Sequence, residues 1–160
     1  MKVLFFFVMV LITPILLSIT SDCNEKLPMN EQIIGFVNSN LNKKVGKGEC
    51  WDLANEALIL AQAKWDGNLK FGRKLDYKKE CVYPGDIIQF EKVKVKYTEN
   101  KITYQEAMAH HTAIIYEVKG TGDYILAHQN TAYTGRKVGT SSLNLMNVTG
   151  GKISIYRPEK

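Results

Sequence analysis

The chain has 160 residues, a formal charge of +5, 45% apolar and 23% charged side chains. This length makes one domain with a real core, and this composition excludes an extensively disordered or collagen-like chain. The lysines are dispersed, as at Lys43, Lys44, Lys70, Lys78, Lys92 and Lys101, and no nucleic-acid motif accompanies them. The charge therefore reads as a solvated surface with mild attraction for anionic polymers, and no nucleic-acid partner is expected.

Residues 1–21 carry a charged start at Lys2, an apolar run from Val3 to Leu17, and the small-residue exit Ser18-Ile19-Thr20-Ser21. That is the pattern of a secretory signal peptide cleaved near Thr20. It predicts a secreted or extracellular protein with no stable membrane insertion after cleavage. The alternative is an uncleaved anchor through residues 3–17. A lipid-modified Cys23 fits poorly, because Asp22 precedes it where a small residue is wanted. Three cysteines suit an oxidising compartment. The expected arrangement is a Cys23–Cys81 disulfide with Cys50 free, although sequence alone permits any pair to bond. Asn147-Val148-Thr149 is a glycosylation sequon, used only in a eukaryotic secretory pathway.

Residues 22–29 read as a linker and 30–160 as the folded domain. Asn30 is placed to cap a helix running to Leu41, with Ile33, Ile34, Val37 and Leu41 on its buried face. Gly46 and Gly48 interrupt the chain. A second helix is expected from Cys50 to Lys64, with an apolar stripe of Leu53, Ala54, Ala57, Leu58 and Ala61. Trp51 is expected in the core or in a pocket wall. Residues 65–80 read as loop with one short strand at most. Tyr83-Pro84-Gly85-Asp86 is a turn, followed by a strand from Ile87 through Tyr97. A short strand at 102–104, a strand at 112–118 and another at 123–130 come next. Residues 131–142 read as loop, and the last strand as 153–156. Two helices followed by an antiparallel meander define an α+β domain with N-terminal helices packed on the sheet.

Cys50 stands at the expected helix start, where unpaired amides and the helix dipole favour a thiolate. Taken alone, it reads as readily as a small core residue. His111 opens one strand and His128 closes the next, so a short turn brings them to the same sheet end. Asn130 falls two residues beyond His128, on the same face. Nucleophile, base and orienting group are then available as Cys50, His111, and His128 with Asn130. His110 competes with His111 for the base role. Zinc held by the three histidines is disfavoured, because adjacent strand residues point to opposite faces. No metal or other cofactor is required.

The stretches Gly48-Glu49-Cys50-Trp51-Asp52-Leu53-Ala54, Pro84-Gly85-Asp86-Ile87-Ile88-Gln89-Phe90, His111-Thr112-Ala113-Ile114-Ile115-Tyr116 and Ala127-His128-Gln129-Asn130 resemble, in order, the motifs of the NlpC/P60 and CHAP papain-like superfamily. The resemblance is strongest to the eukaryotic cysteine-proteinase-fold domain of yeast actin-patch proteins. It implies a papain-like NlpC/P60-type fold over roughly residues 30–158. It also implies Cys50 as nucleophile, His111 as base, His128 in the third position and Asn130 as the asparagine that CHAP members carry nearby. The implied activity is amide hydrolysis, with a peptide or peptidoglycan-like substrate. The mechanism expected is thiol attack on a carbonyl, starting either from neutral groups or from a thiolate–imidazolium pair. Backbone amides near Cys50 would hold the oxyanion, and Gly48 would leave room for a substrate backbone. The stretch before His111 is longer than the tight hairpin of the bacterial pattern, and no cell-wall-binding repeat accompanies the domain. The alternatives are a secreted, non-catalytic binding module on the same fold, or acyl transfer at the same dyad.

Overall fold

A computed structural model describes Cys23 and residues 25–160. The expected signal peptide, and the alternative anchor through residues 3–17, lie outside the described residues. Two helices come first, α1 (Pro28–Asn40) and α2 (Asp52–Leu60). Six strands follow: β1 (Arg73–Leu75), β2 (Ile87–Glu99), β3 (Ile102–Gly120), β4 (Asp123–His128), β5 (Gly139–Asn144) and β6 (Val148–Arg157). They form one sheet in the order β1-β6-β2-β3-β4-β5, with every neighbouring pair antiparallel.

α1 begins at Pro28, two residues before the expected start. Proline suits the first helical turn because its missing N–H would have no helical partner there. Asn30 is not the cap. It is buried, and its Nδ2 donates to the Pro84 carbonyl and to Asp86 Oδ1, both at 2.9 Å. Asp86 also accepts from the Tyr83 amide and from Arg157 Nη2, again at 2.9 Å. Burial raises the Asp86 pKa, while Arg157, the Tyr83 amide and Asn30 oppose the rise. The network joins α1, the turn before β2 and the end of β6. Gly85 is needed within it: its φ is +91°, and a Cβ there would lie 2.7 Å from Asn30 Cα and carbonyl oxygen.

The second helix is shorter than expected. It starts at Asp52 and ends at Leu60, with Gln62 in the left-handed region at φ 56°. Trp51 is 45% exposed, so it is not part of the core. The two strands expected between residues 102 and 118 are one strand, β3, continuous through His110 and His111. It turns from β2 through Asn100 and Lys101, both with positive φ (49° and 66°), as a two-residue hairpin with left-handed central residues requires. The long stretch before His111 is thus an extended hairpin arm. β5 occupies part of the segment expected to be loop, and β6 begins before Gly150-Gly151 rather than after it.

Alternation along the strands divides the core in two. Ile87, Ile114, Ala127 and Tyr156 share a cluster with Ile33 and Val37 of α1 and with Leu53, Ala57 and Leu58 of α2. Ile88, Phe90, Ala113, Ile115, Leu126 and Ile155 belong to the second cluster, with Leu75, Val82 and Tyr124. Each fully buried large side chain contributes about 1.5–3 kcal/mol of transfer free energy. Cys23 and Cys81 form a disulfide with a Cα–Cα distance of 5.4 Å, the expected pairing, and Cys50 is a free thiol. Among the described residues, no helix is long and apolar enough to cross a membrane.

Candidate active site

His111 and His128 are the centre of the site. The hairpin turn at Thr121–Gly122 brings the two strands side by side, and Ile114 pairs with Ala127. Carried back along β3 and on to the end of β4, that pairing brings the two imidazoles together: His111, in the middle of its strand, and His128, the last residue of its own, share a hydrogen bond of 3.0 Å between Nε2 and Nδ1. The rings meet edge to face with centroids 5.2 Å apart, and both residues are more than nine-tenths buried. The chain of contacts continues through β5, where Ser141 Oγ lies 3.0 Å from His128 Nε2. Ser141 escaped the sequence reading because β5 itself did.

Two proton arrangements satisfy this row. In one, His111 Nε2–H donates to His128 Nδ1, and His128 Nε2–H donates to the Ser141 hydroxyl. His111 Nδ1 is then an acceptor, as a general base requires. In the other, the serine hydroxyl donates, every bond reverses, and His111 Nδ1 carries the proton. Burial lowers the His111 pKa to about 4. It lowers His128 to about 4 as well, with a further contribution from the neighbouring His111 charge. Both rings are neutral at pH 7, so no imidazolium is available at rest to stabilise a thiolate.

The two imidazoles lie on the face of the sheet that carries the second cluster. His111 has the parity of Ala113 and Ile115, and its ring centroid is 6.0 Å from that of Phe90. Both histidines line a cavity of about 760 Å3 walled by β2, β3, β4 and β5. His110 is exposed and pairs across the ladder with Glu91, on the outer face. Among the described residues, no group of three or more His, Cys, Asp and Glu side chains is placed to hold a metal ion.

Cys50 is half-buried in the turn that leads into α2, whose apolar residues join the first cluster. Among the described residues its thiol has no hydrogen-bond partner, and Cys50 does not line the cavity of the histidines. The segment before it is held firmly. Gln129 is fully buried; its Nε2 donates to the carbonyls of Val45 and Glu49, both at 2.9 Å, and its Oε1 accepts from the Val45 amide. Asn130 does not share the face of His128. It leaves the strand at φ 61°, and its Nδ2 donates to Glu49 Oε2 at 2.9 Å. Arg136 donates to the Lys47 carbonyl and pairs with Glu49 at 3.3 Å. It also fills the space expected for a substrate beside Gly48: a Cβ on that residue would come within 2.7 Å of Arg136 Cβ. The structure thus brings His111 and His128 together, adds Ser141, and places Asn130 with the segment that precedes Cys50.

The ordered helices and antiparallel sheet place this chain in the class of cysteine-proteinase-fold domains. It belongs to the AIM3/BBC1 cysteine proteinase-fold domain family, whose model matches residues 29–160. Among curated proteins, none shows significant sequence similarity to it. Solved structures similar to it include that of Ly7917 with the hydrolysing product of MDP, at 15% identity and a TM-score of 0.49, covering 81% of this chain and 62% of that one. A second structure of Ly7917 gives 14% identity and a TM-score of 0.45, covering 79% of this chain and 62% of that one. The chain thus spans under two-thirds of the length of either.

Proposed function

We propose that this domain is a secreted cysteine hydrolase of papain-like NlpC/P60 type, with its N-terminal helices packed on the sheet, cleaving amide bonds in peptide or peptidoglycan-like substrates. The observation that carries the proposal is the buried His111–His128–Ser141 row. Two neutral, buried imidazoles lower stability in acid, and their alignment leaves His111 Nδ1 without a partner among the described residues. That is the nitrogen a thiol would use. In this reading His111 takes the Cys50 proton as the sulfur attacks the carbonyl carbon. The imidazolium then protonates the leaving amine, and water releases the acyl group with His111 as base. His128 orients His111, and backbone amides beside Cys50 receive the oxyanion. Asn130 acts through Glu49, by fixing the segment that presents the thiol. The reaction requires Cys50 and His111 to approach on substrate binding. Ly7917, solved with a hydrolysing product of MDP, makes a peptidoglycan-like substrate the first to test. The Cys23–Cys81 disulfide supports secretion into an oxidising compartment, with an anchor through residues 3–17 as the alternative.

Digestion of purified peptidoglycan and of synthetic peptides, read by mass spectrometry, tests the reading. Cys50→Ala and His111→Ala are each expected to abolish cleavage, and persistent cleavage by either overturns the assignment. The absence of a thiol–imidazole contact favours a second reading, a secreted binding module with an unused thiol. It predicts binding without cleavage, and no iodoacetamide labelling of Cys50 at neutral pH.

A further inference from the structure

The cavity beside the two histidines has a charge opposite to that of the chain. The chain carries 21 lysines and arginines against 16 acids. None of the residues lining the cavity is lysine or arginine, and three are carboxylates: Glu99, Glu106 and Asp123. Strand alternation produces this sidedness. On the hairpin arm, Val95 pairs with Glu106 and Tyr97 with Tyr104, and these four line the cavity. Lys94 and Lys96 have the opposite parity, point outward and are exposed. Glu106 accepts a hydrogen bond from the Tyr133 hydroxyl at 3.0 Å, and no cation pairs with it among the described residues. Tyr97 and Tyr104 stack with centroids 5.0 Å apart. The local field is legible on these phenols. Burial, then Glu106, Tyr104 and Glu99, raise Tyr97; the hydrogen bond to Glu106 raises Tyr133. At the floor stands His111, 7% exposed, with Nδ1 unpartnered among the described residues.

We propose that this cavity selects a peptide bearing a primary ammonium group, which sits against Glu106 and the faces of Tyr97 and Tyr104 while the peptide chain runs toward His111. Carboxylate and aromatic faces attract a cation together. Among the described residues the Glu106 carboxylate has the Tyr133 hydroxyl but no cation, so it has no ion pair to break when the ammonium group arrives. The proposal deepens the functional reading, since it rests on this cavity being the substrate site.

The test uses the full mature chain carrying Cys50→Ala, so that binding is measured without turnover. The probes are the peptide Ala-Gly-Lys-Gly amide and the same peptide with both amines acetylated, titrated by isothermal calorimetry at low and moderate salt. The free-amine peptide is expected to bind at least fivefold more tightly, and added salt is expected to narrow the gap. Glu106→Gln is expected to remove the difference while leaving the acetylated peptide unchanged. Lys96→Gln, on the outer face, is expected to change neither. Equal affinity for both peptides, or a preference that survives Glu106→Gln, overturns the proposal. Failure of the hydrolase reading would be distinct: no cleavage by the wild-type chain, with the ammonium preference intact.

Discussion

The buried histidine pair makes a quantitative prediction about acid stability. In the unfolded chain each imidazole titrates near the ordinary value of about 6.5. In the fold, burial lowers both to about 4. Between these values the unfolded state binds more protons, so stability falls as pH is lowered from about 6.5 and levels off below about 4. Linkage gives a loss of about 1.8 kcal/mol per histidine between pH 7 and pH 5. The two rings share a hydrogen bond, so a charge on one opposes a charge on the other. The pair together then costs about 2–4 kcal/mol, a large share of a typical domain's stability. With an ordinary urea slope, the midpoint should fall by about 1–2 M over that range. The assay is urea unfolding at pH 7, 6 and 5, followed by fluorescence, for the wild-type chain and the His111→Gln/His128→Gln double variant. The variant should lose less stability than the wild type over the same range by about that amount. Parallel pH profiles for the two proteins would refute the reasoning.

Arg157→Met should cost about 3–5 kcal/mol in urea unfolding, because it strands the fully buried Asp86 carboxylate; adding Asp86→Asn should recover part of the loss. Reducing the Cys23–Cys81 bond, which closes a separation of 58 residues, should cost about 4 kcal/mol and lower the melting temperature by roughly 10 °C in calorimetry. Gly85→Ala should destabilise by more than about 1 kcal/mol, since its Cβ would meet backbone atoms of Asn30 and its φ is left-handed; an unchanged midpoint would show that the turn relaxes freely. Ser141→Ala should shift the His128 Nε2 resonance in nitrogen-15 spectra and lower kcat more than it raises KM, with Ser141→Thr restoring both.

Sequence and structure agree most where burial is periodic. The strand after Pro84-Gly85-Asp86 and the pairing of His111 with His128 follow from alternation and a short turn, both local. β5 was hidden because Gly139-Thr140-Ser141-Ser142-Leu143-Asn144 contains one buried apolar side chain, Leu143; its pairing with β4 makes it a strand. The middle of β3 was hidden for a related reason: Ala107, Ala109 and His110 are exposed and break the apolar pattern, while the ladder with β2 continues. Asn30 has the chemistry of a helix cap, but the long-range bonds to Pro84 and Asp86 claim its side chain. The relation of Cys50 to the histidines was the least legible. Parity fixes which face of a sheet a histidine occupies, but which face a preceding helix covers is a tertiary outcome.

The position of β6 has a consequence for how the domain is made. The last strand of the six lies inside the sheet, bonded to β1 on one side and β2 on the other. Until residue 157 is available, β1 has no sheet partner and β2 presents an open edge. Arg157, which neutralises Asp86, arrives with the same strand. A nascent chain can pair β2 through β5 in order, but β1 stays outside that sheet until the last strand arrives. Closure is a late, nonlocal event, in which the end of the strand order, the buried ion pair and the anchoring of α1 are completed together.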